Sequence, residues 1–376
     1  MKKTEIASLK LYRKVFRSYK LRFYKPKKDL CPKCLAWKHK APGSRTPEGA
    51  DKMSVHLKQK QLSYKLKDAD TKFVQSADNR IELCVITRDL QKTMSTPKGE
   101  NGEFYYKSKF TTYNFTVFVS GEQQGYCYTW DQTTGKKGCT EVTSCMWSFI
   151  KMQAVKGIKE IRIYSDNCAA QNKNQYLFAM YVMASIRYNI KIVHRYLESG
   201  HTLLQCDSMH ARIENSMKNE DVFSPSQWVT AMKMAKVNNP KYIVKVMEQE
   251  ELYDFTPLAS FQSWDKIKTS QIREEELTLT ETQIMKPKRG RPVNWSTFPL
   301  KRTYQTKFPV RPDILKGLQD LCKSGAIPAE HAPFYMEHLP SLNLIQQEGD
   351  APNSDVSDVG SDAEIESSDS EGSDVE

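Results

Sequence analysis

The stretch from Lys159 to Glu214 constrains the fold more than any other part of the chain. Lys159-Glu160-Ile161-Arg162-Ile163-Tyr164-Ser165-Asp166 has the length of a strand and ends in a carboxylate. A polar turn follows, Asn167-Cys168-Ala169-Ala170-Gln171-Asn172-Lys173-Asn174. The apolar segment from Tyr176 to Ile186 is too long for an ordinary strand and too short to span a bilayer, so it reads as a buried helix. Ile190 to Tyr196 reads as a second strand. Beyond it, Gly200-His201 leads to Cys206-Asp207-Ser208-Met209-His210-Ala211-Arg212-Ile213-Glu214. If Asp207 to Glu214 is helical, Asp207, His210 and Glu214 share one face, because positions three, four and seven apart are neighbours on a helix. A strand-end carboxylate facing a helix with further carboxylates can hold a divalent metal against phosphate.

Upstream, Ile81 to Asp89 alternates only partly but has the β-branched content and length of a buried strand, again ending in Asp. Tyr113 to Val119 and Tyr126 to Trp130 flank Gly121 and Gly125 as a hairpin. Val142, Cys145, Met146, Phe149 and Met152 fall at helical spacing up to a stop at Gly157. The order is three strands, helix, strand, helix, strand, helix. That is the order of the ribonuclease H-like fold, an α/β class in which a mixed sheet is flanked by helices. Enzymes of that fold place one Asp on the first strand, one just after the fourth, and a third acid on the helix after the fifth. Asp89, Asp166 and either Asp207 or Glu214 occupy those places, with His210 among them. Such acids converge because Mg²⁺ (or Mn²⁺) ions bridge them. Taken singly, each has a plainer use as a turn former or helix cap.

Charge points to a polyanionic partner. The residues before Glu348 hold all 56 Lys and Arg but 34 of the 45 Asp and Glu, a net of +22, while the whole chain carries +11. Double-stranded DNA is the expected partner, and the nucleus the expected location, with solubility as the plain alternative. No signal peptide or membrane-spanning run is visible, so no membrane partner is expected. Nine cysteines scattered at irregular spacings fit a reducing compartment better than a disulfide framework. A homo-oligomer is left open.

The N-terminal segment, residues 1–70, begins with a basic stretch in which Leu9, Tyr12, Phe16 and Tyr19 recur at helical spacing, predicting a short basic amphipathic helix. Cys31-Pro32-Lys33-Cys34 follows. Two thiolates at this spacing can bind one tetrahedral Zn²⁺, but a structural site needs four ligands, and His39 and His56 are the nearby completions. Met53 to Asp70 reads as a charged helical connector. A second cluster of His201, Cys206 and His210 is conceivable. The plainer reading has His210 bonded to the carboxylates and Cys206 packed in the core.

A core over residues 78–220 is followed by an α+β extension over 221–340. Ser224-Pro225 opens a helix to Lys236, Tyr242 to Met247 reads as a strand, and Asp313 to Ser324 as a helix stopped at Gly325. Within the linker at 286–292, Lys288-Arg289-Gly290-Arg291-Pro292 matches an AT-hook core, slim enough for a narrow A·T minor groove; a nuclear localisation signal or basic linker is the alternative. Residues 346–376 are acidic and poor in apolar side chains, and are expected to be disordered.

The phrases Pro26-Lys27-Lys28-Asp29-Leu30-Cys31-Pro32-Lys33-Cys34, Arg88-Asp89-Leu90-Gln91-Lys92, Tyr113-Asn114-Phe115, Tyr164-Ser165-Asp166-Asn167-Cys168-Ala169-Ala170-Gln171-Asn172-Lys173-Asn174 and Gly200-His201-Thr202 with Cys206-Asp207-Ser208-Met209-His210-Ala211-Arg212-Ile213-Glu214 resemble a large animal family thought to descend from transposases. The resemblance runs to about Pro340. It implies a metal-dependent DNA strand-transfer or nuclease-like ancestry, and a DNA-binding head preceding the basic helix in other members. Two functions follow as expectations. One is a divalent-metal enzyme acting on DNA. The other is a non-catalytic nuclear DNA- or chromatin-binding protein that keeps the old fold as scaffold.

Overall fold

Strand β1 (Leu83–Leu90) buries Cys84 through Arg88 without interruption. A strand covered on both faces has no polar side to alternate with, which is why its sequence pattern is irregular. The computed structural model containing it describes residues 8–20, 31–76, 82–107, 109–259 and 294–340. β1 lies inside a seven-stranded mixed sheet with β2 (Met94–Thr96), β3 (Phe110–Val119), β4 (Gln124–Asp131), β5 (Glu160–Ser165), β6 (Lys191–Tyr196) and β7 (Ile243–Val246). The spatial order is β6-β5-β1-β3-β4-β7, with β2 added to β3. β1, β5 and β6 run parallel, β3 is antiparallel to β1 and β4, and β7 is parallel to β4.

Register places the acids. Thr87 pairs with Tyr164 across β1 and β5, so continuing both strands by two residues brings Asp89 level with Asp166 at the same end of the sheet. The expected sequence of three strands, helix, strand, helix, strand, helix is present, with α5 (Cys139–Val155), α7 (Gln175–Tyr188) and α8 (Gln205–Ser216) as the three helices. Short additions interrupt it: β2, α4 (Gly102–Tyr106) and α6 (Ala169–Asn172).

Two different layers cover the sheet. On one face α5 and α7 pack Met146, Phe149, Ile150, Leu177, Met180 and Met183 against Ile86, Val117, Ile161 and Ile163. Burying each such side chain is worth about 1.5–3 kcal/mol. Asn174 caps α7 by accepting from the Leu177 N–H at 2.9 Å, and Asn189 ends it at φ +50.

The other face holds α8, α9 (Pro225–Met234) and the long α3 (Pro47–Gln75). α8 and α9 contribute Met209, Ile213, Trp228 and Met232. α3 is no mere connector: it buries His56, Ser63, Lys67, Asp70 and Val74, a stripe that is mostly polar. Asp70 accepts from Arg162 Nη1 at 2.6 Å and from the Tyr164 hydroxyl at 2.6 Å, and also pairs with Arg195. A charged stripe gives no hydrophobic periodicity, so the packing was invisible in the sequence.

α1 (Leu9–Ser18) and α2 (Pro32–His39) precede α3, and no residue of α1 is buried. Beyond residue 220 the expected helix and strand are present as α9 and β7, which belong to the sheet and its covering layer, and a helix at Pro312–Lys323 ends near Gly325 at φ +76. The AT-hook-like Lys288, Arg289, Gly290, Arg291 and Pro292 and the acidic tail lie outside the described residues. No described helix is long and apolar enough to cross a membrane.

Candidate functional site

Two sets of ligand-type side chains lie on the α3/α8 side of the molecule. The first gathers where β1, β5 and α8 meet. Ligand atoms of Asp89, Asp207 and His210 all fall within 4.8 Å of one another. Asp166 stands outside that set but its charge acts on Asp89. Burial first, then the charges of Asp166 and Asp207, raise the Asp89 carboxyl to about 7. Arg88 offsets this in part, so the Asp89 carboxyl stands in a buried place crowded by like charges.

The supporting contacts define which atoms face the pocket. The Thr116 hydroxyl donates to the Asp89 carbonyl at 3.1 Å, so its oxygen is left to accept from His210 Nε2–H at 2.7 Å. That fixes the tautomer and turns the Nδ1 lone pair toward Asp89 Oδ2, 3.9 Å away. Burial lowers the His210 pKa to about 4, which keeps the imidazole neutral. Asp207 sits in the first turn of α8, where one carboxylate oxygen accepts from the Leu204 N–H at 2.9 Å. Asn172, buried at the end of α6, donates to Asp166.

Of the two acids the sequence offered for α8, Asp207 joins the set and Glu214 does not. Glu214 is exposed and accepts from Gln91 Nε2 at 3.2 Å. Helical spacing allowed both, but the pocket meets only the N-terminal half of α8, through Asp207 and His210.

The second set is Cys31, Cys34, His56 and His201, again within 4.8 Å of one another. His56 Nε2 lies 3.4 Å from Cys31 Sγ, 3.3 Å from Cys34 Sγ and 3.3 Å from His201 Nε2. Cys34 Sγ is 3.2 Å from His201 Nε2. His56 donates through Nδ1 to Glu198 Oε1 at 3.1 Å, leaving its Nε2 lone pair aimed into the cluster. Burial, then the neighbouring Lys60 and His56, lowers the His201 pKa, which favours the neutral ring.

His39 is not part of this set; it ends α2 and is exposed. His201, which the sequence pointed to only as a partner of Cys206 and His210, is the fourth member. That alternative trio is separated in the fold. Cys206 is wholly buried, its thiol pushed up to about 12 chiefly by burial, and it donates toward the Thr87 carbonyl at 3.3 Å. His210 belongs with the carboxylates. The pairing of His201 with residues so distant in sequence has no local signal.

A family profile described as a domain of unknown function, DUF7869, matches residues 106–278, somewhat under half of the chain. The matched segment includes Asp166, His201, Asp207 and His210, whereas Asp89, Cys31, Cys34 and His56 precede it. Neither ligand set is complete within it. No curated protein and no solved structure matches the chain.

Proposed function

We propose that the protein is a ribonuclease H-like enzyme of transposase descent that acts on the phosphodiester backbone of double-stranded DNA with a divalent metal, Mg²⁺ or Mn²⁺. The observation that carries the reading is the convergence of Asp89, Asp207 and His210, with Asp166 on the neighbouring strand end raising the Asp89 carboxyl. Strand order supports it: the first, fourth and fifth strands of the core lie parallel and adjacent, with the antiparallel β3 on the other side of β1.

The donor set fits a hard divalent cation, with one imidazole that tilts preference toward Mn²⁺ over Mg²⁺. Such an ion, when bound, polarises a phosphoryl oxygen and generates a nucleophile from water at neutral pH. The chain's own contribution is positional. Asp89 and Asp207 supply carboxylate oxygens from a strand end and a helix start, so the two are fixed by different elements. Thr116 locks the His210 ring, and Asn172 holds the Asp166 carboxylate. The basic body before Glu348 attracts the polyanion, and nuclear residence belongs to the same proposal.

Nicking of supercoiled plasmid by the purified full chain tests this. We expect cleavage that needs Mn²⁺ or Mg²⁺, falls to background in Asp89→Asn and Asp207→Asn, and survives in Glu214→Gln. Cleavage unchanged in Asp89→Asn would remove the site from the chemistry. Duplex binding without any cleavage by the wild type in Mn²⁺ would favour the non-catalytic DNA- or chromatin-binding scaffold instead.

A further inference from the structure

We infer that Cys31, Cys34, His56 and His201 form a structural zinc clasp that closes the N-terminal helices onto the loop leading into α8, and that its occupancy sets the affinity of the Asp89, Asp207 and His210 pocket for divalent metal. The second half of this inference rests on the metal-binding reading given above; the first half does not.

Zinc follows from donor chemistry and spacing. Two thiolates and two neutral imidazoles are the donors of a closed Cys₂His₂ site. A tetrahedron with Zn–S of about 2.3 Å and Zn–N of about 2.05 Å has S···N edges of about 3.6 Å and an N···N edge of about 3.3 Å. Three of the four S···N separations are 3.2–3.4 Å and the N···N separation is 3.3 Å, with all four donors within 4.8 Å of one another. Pairwise hydrogen bonds leave the crowding at His56 Nε2 unaccounted for: with its ring proton committed to Glu198, that one lone pair is approached by both thiols and by His201 Nε2. Glu198, His56 and the metal position thus form the carboxylate–histidine–zinc relay usual at such sites. Lys33 reaches the same Glu198 oxygen at 3.5 Å.

The clasp is coupled to α8 through a short, pinned loop. Gly200, at φ +73, lies so close to Cys31 that a Cβ there would stand 2.4 Å from the Cys31 Cα. The strand exit and the start of α2 are therefore in backbone contact, and only glycine permits it. The Tyr64 hydroxyl donates to the His201 carbonyl at 2.5 Å, and Lys67 donates to the Leu203 carbonyl. The next residue, Leu204, bonds Asp207. Each residue from His201 to Asp207 that is fixed by α3 or by zinc narrows where Asp207 and His210 can stand.

The test uses the full chain. Elemental analysis should give one zinc per chain in the wild type and in His39→Gln, and none in a Cys34→Ser/His201→Gln double variant. Glu198→Gln should weaken zinc retention against a chelator by about 10–100-fold. Cobalt replacing zinc in the wild-type protein should show the absorption of a tetrahedral, thiolate-bound ion, a readout that no unfolded variant can confuse. Mn²⁺ binding, followed by the loss of the free-ion electron paramagnetic resonance signal, should weaken by about tenfold or more in zinc-free variants and in Gly200→Ala. Zinc-free wild-type protein after growth with added zinc, or full zinc in the double variant, would overturn the clasp. Equal Mn²⁺ affinity with and without zinc would overturn the coupling. Wild-type protein that holds zinc but binds no Mn²⁺ would defeat the coupling together with the catalytic reading, leaving the zinc site intact.

Discussion

Helices α7 and α3 lie against opposite faces of the same sheet and are attached by opposite means. α7 presents Leu177, Met180, Met183 and Ala184, all fully buried, to a strand face of Ile86, Ile161 and Ile163. α3 presents Asp70, Lys67 and His56 to Arg162, Tyr164, Arg195 and the loop after β6. An apolar layer is non-directional and nearly indifferent to pH and salt. A layer built from ion pairs and hydrogen bonds is directional and conditional, because each buried polar group costs free energy unless its partner is in place. The first layer therefore sets whether the chain folds, and the second sets whether its sites assemble.

Three measurements sharpen that contrast. The largest effect is expected from Phe149→Ala, which empties a fully buried position of the apolar layer and should cost about 3–5 kcal/mol of global stability in urea unfolding. Next, Asp70→Ala strips the carboxylate from Arg162, Arg195 and the Tyr164 hydroxyl. We expect a cost of about 2–4 kcal/mol, with the two arginines partly relieved by solvent. Hydrogen exchange should show that loss confined to α3 and the loop at residues 197–204. Uniform exchange across α5 and α7 would mean that the two layers unfold as one.

The smallest effect concerns pH, measured without added divalent ion. The Asp89 carboxyl stands at about 7 in the fold against an ordinary 3.8, so the folded chain binds more protons between those values and stability falls as pH rises through them. His210 stands at about 4 against an ordinary 6.5, so there the unfolded chain binds more protons and stability is lost as pH falls from 6.5. Each slope is at most about 1.4 kcal/mol per pH unit. They oppose one another from about pH 4 to 6.5, and their joint contribution should be nearly flat. Asp89→Asn should expose the rising limb and His210→Gln the falling one, in thermal unfolding from pH 4 to 7.5. Parallel profiles for all three proteins would show that neither group is shifted by the fold.

The same contrast explains what could be read from the chain before any coordinates. The apolar elements were legible. Tyr176 to Ile186 as a buried helix, the hairpin around Gly121 and Gly125, and the strands ending at Asp89 and Asp166 all follow from periodicity and turn chemistry, and all are present. Asp207 could be named but not separated from Glu214, because a helical wheel gives the face and not the turn that meets the sheet. The polar layer was not legible. α3 shows no apolar stripe, so Met53 to Asp70 passed for a connector. His201 completes a cluster begun at Cys31 through tertiary packing alone, while His39, nearer in sequence, points elsewhere.

The spacing of the clasp also has a temporal side. His56 and His201 are 145 residues apart, and Cys34 and His201 are 167 apart. At about 5–20 residues per second, a ribosome delivers Cys31, Cys34 and His56 roughly 7–35 s before His201. For that interval the nascent chain carries only three of the four donors, and Lys67 still awaits Leu203. If these four donors hold zinc as inferred, closure of the N-terminal helices waits on the β6 exit, and a chain stalled before His201 would lack the fourth donor.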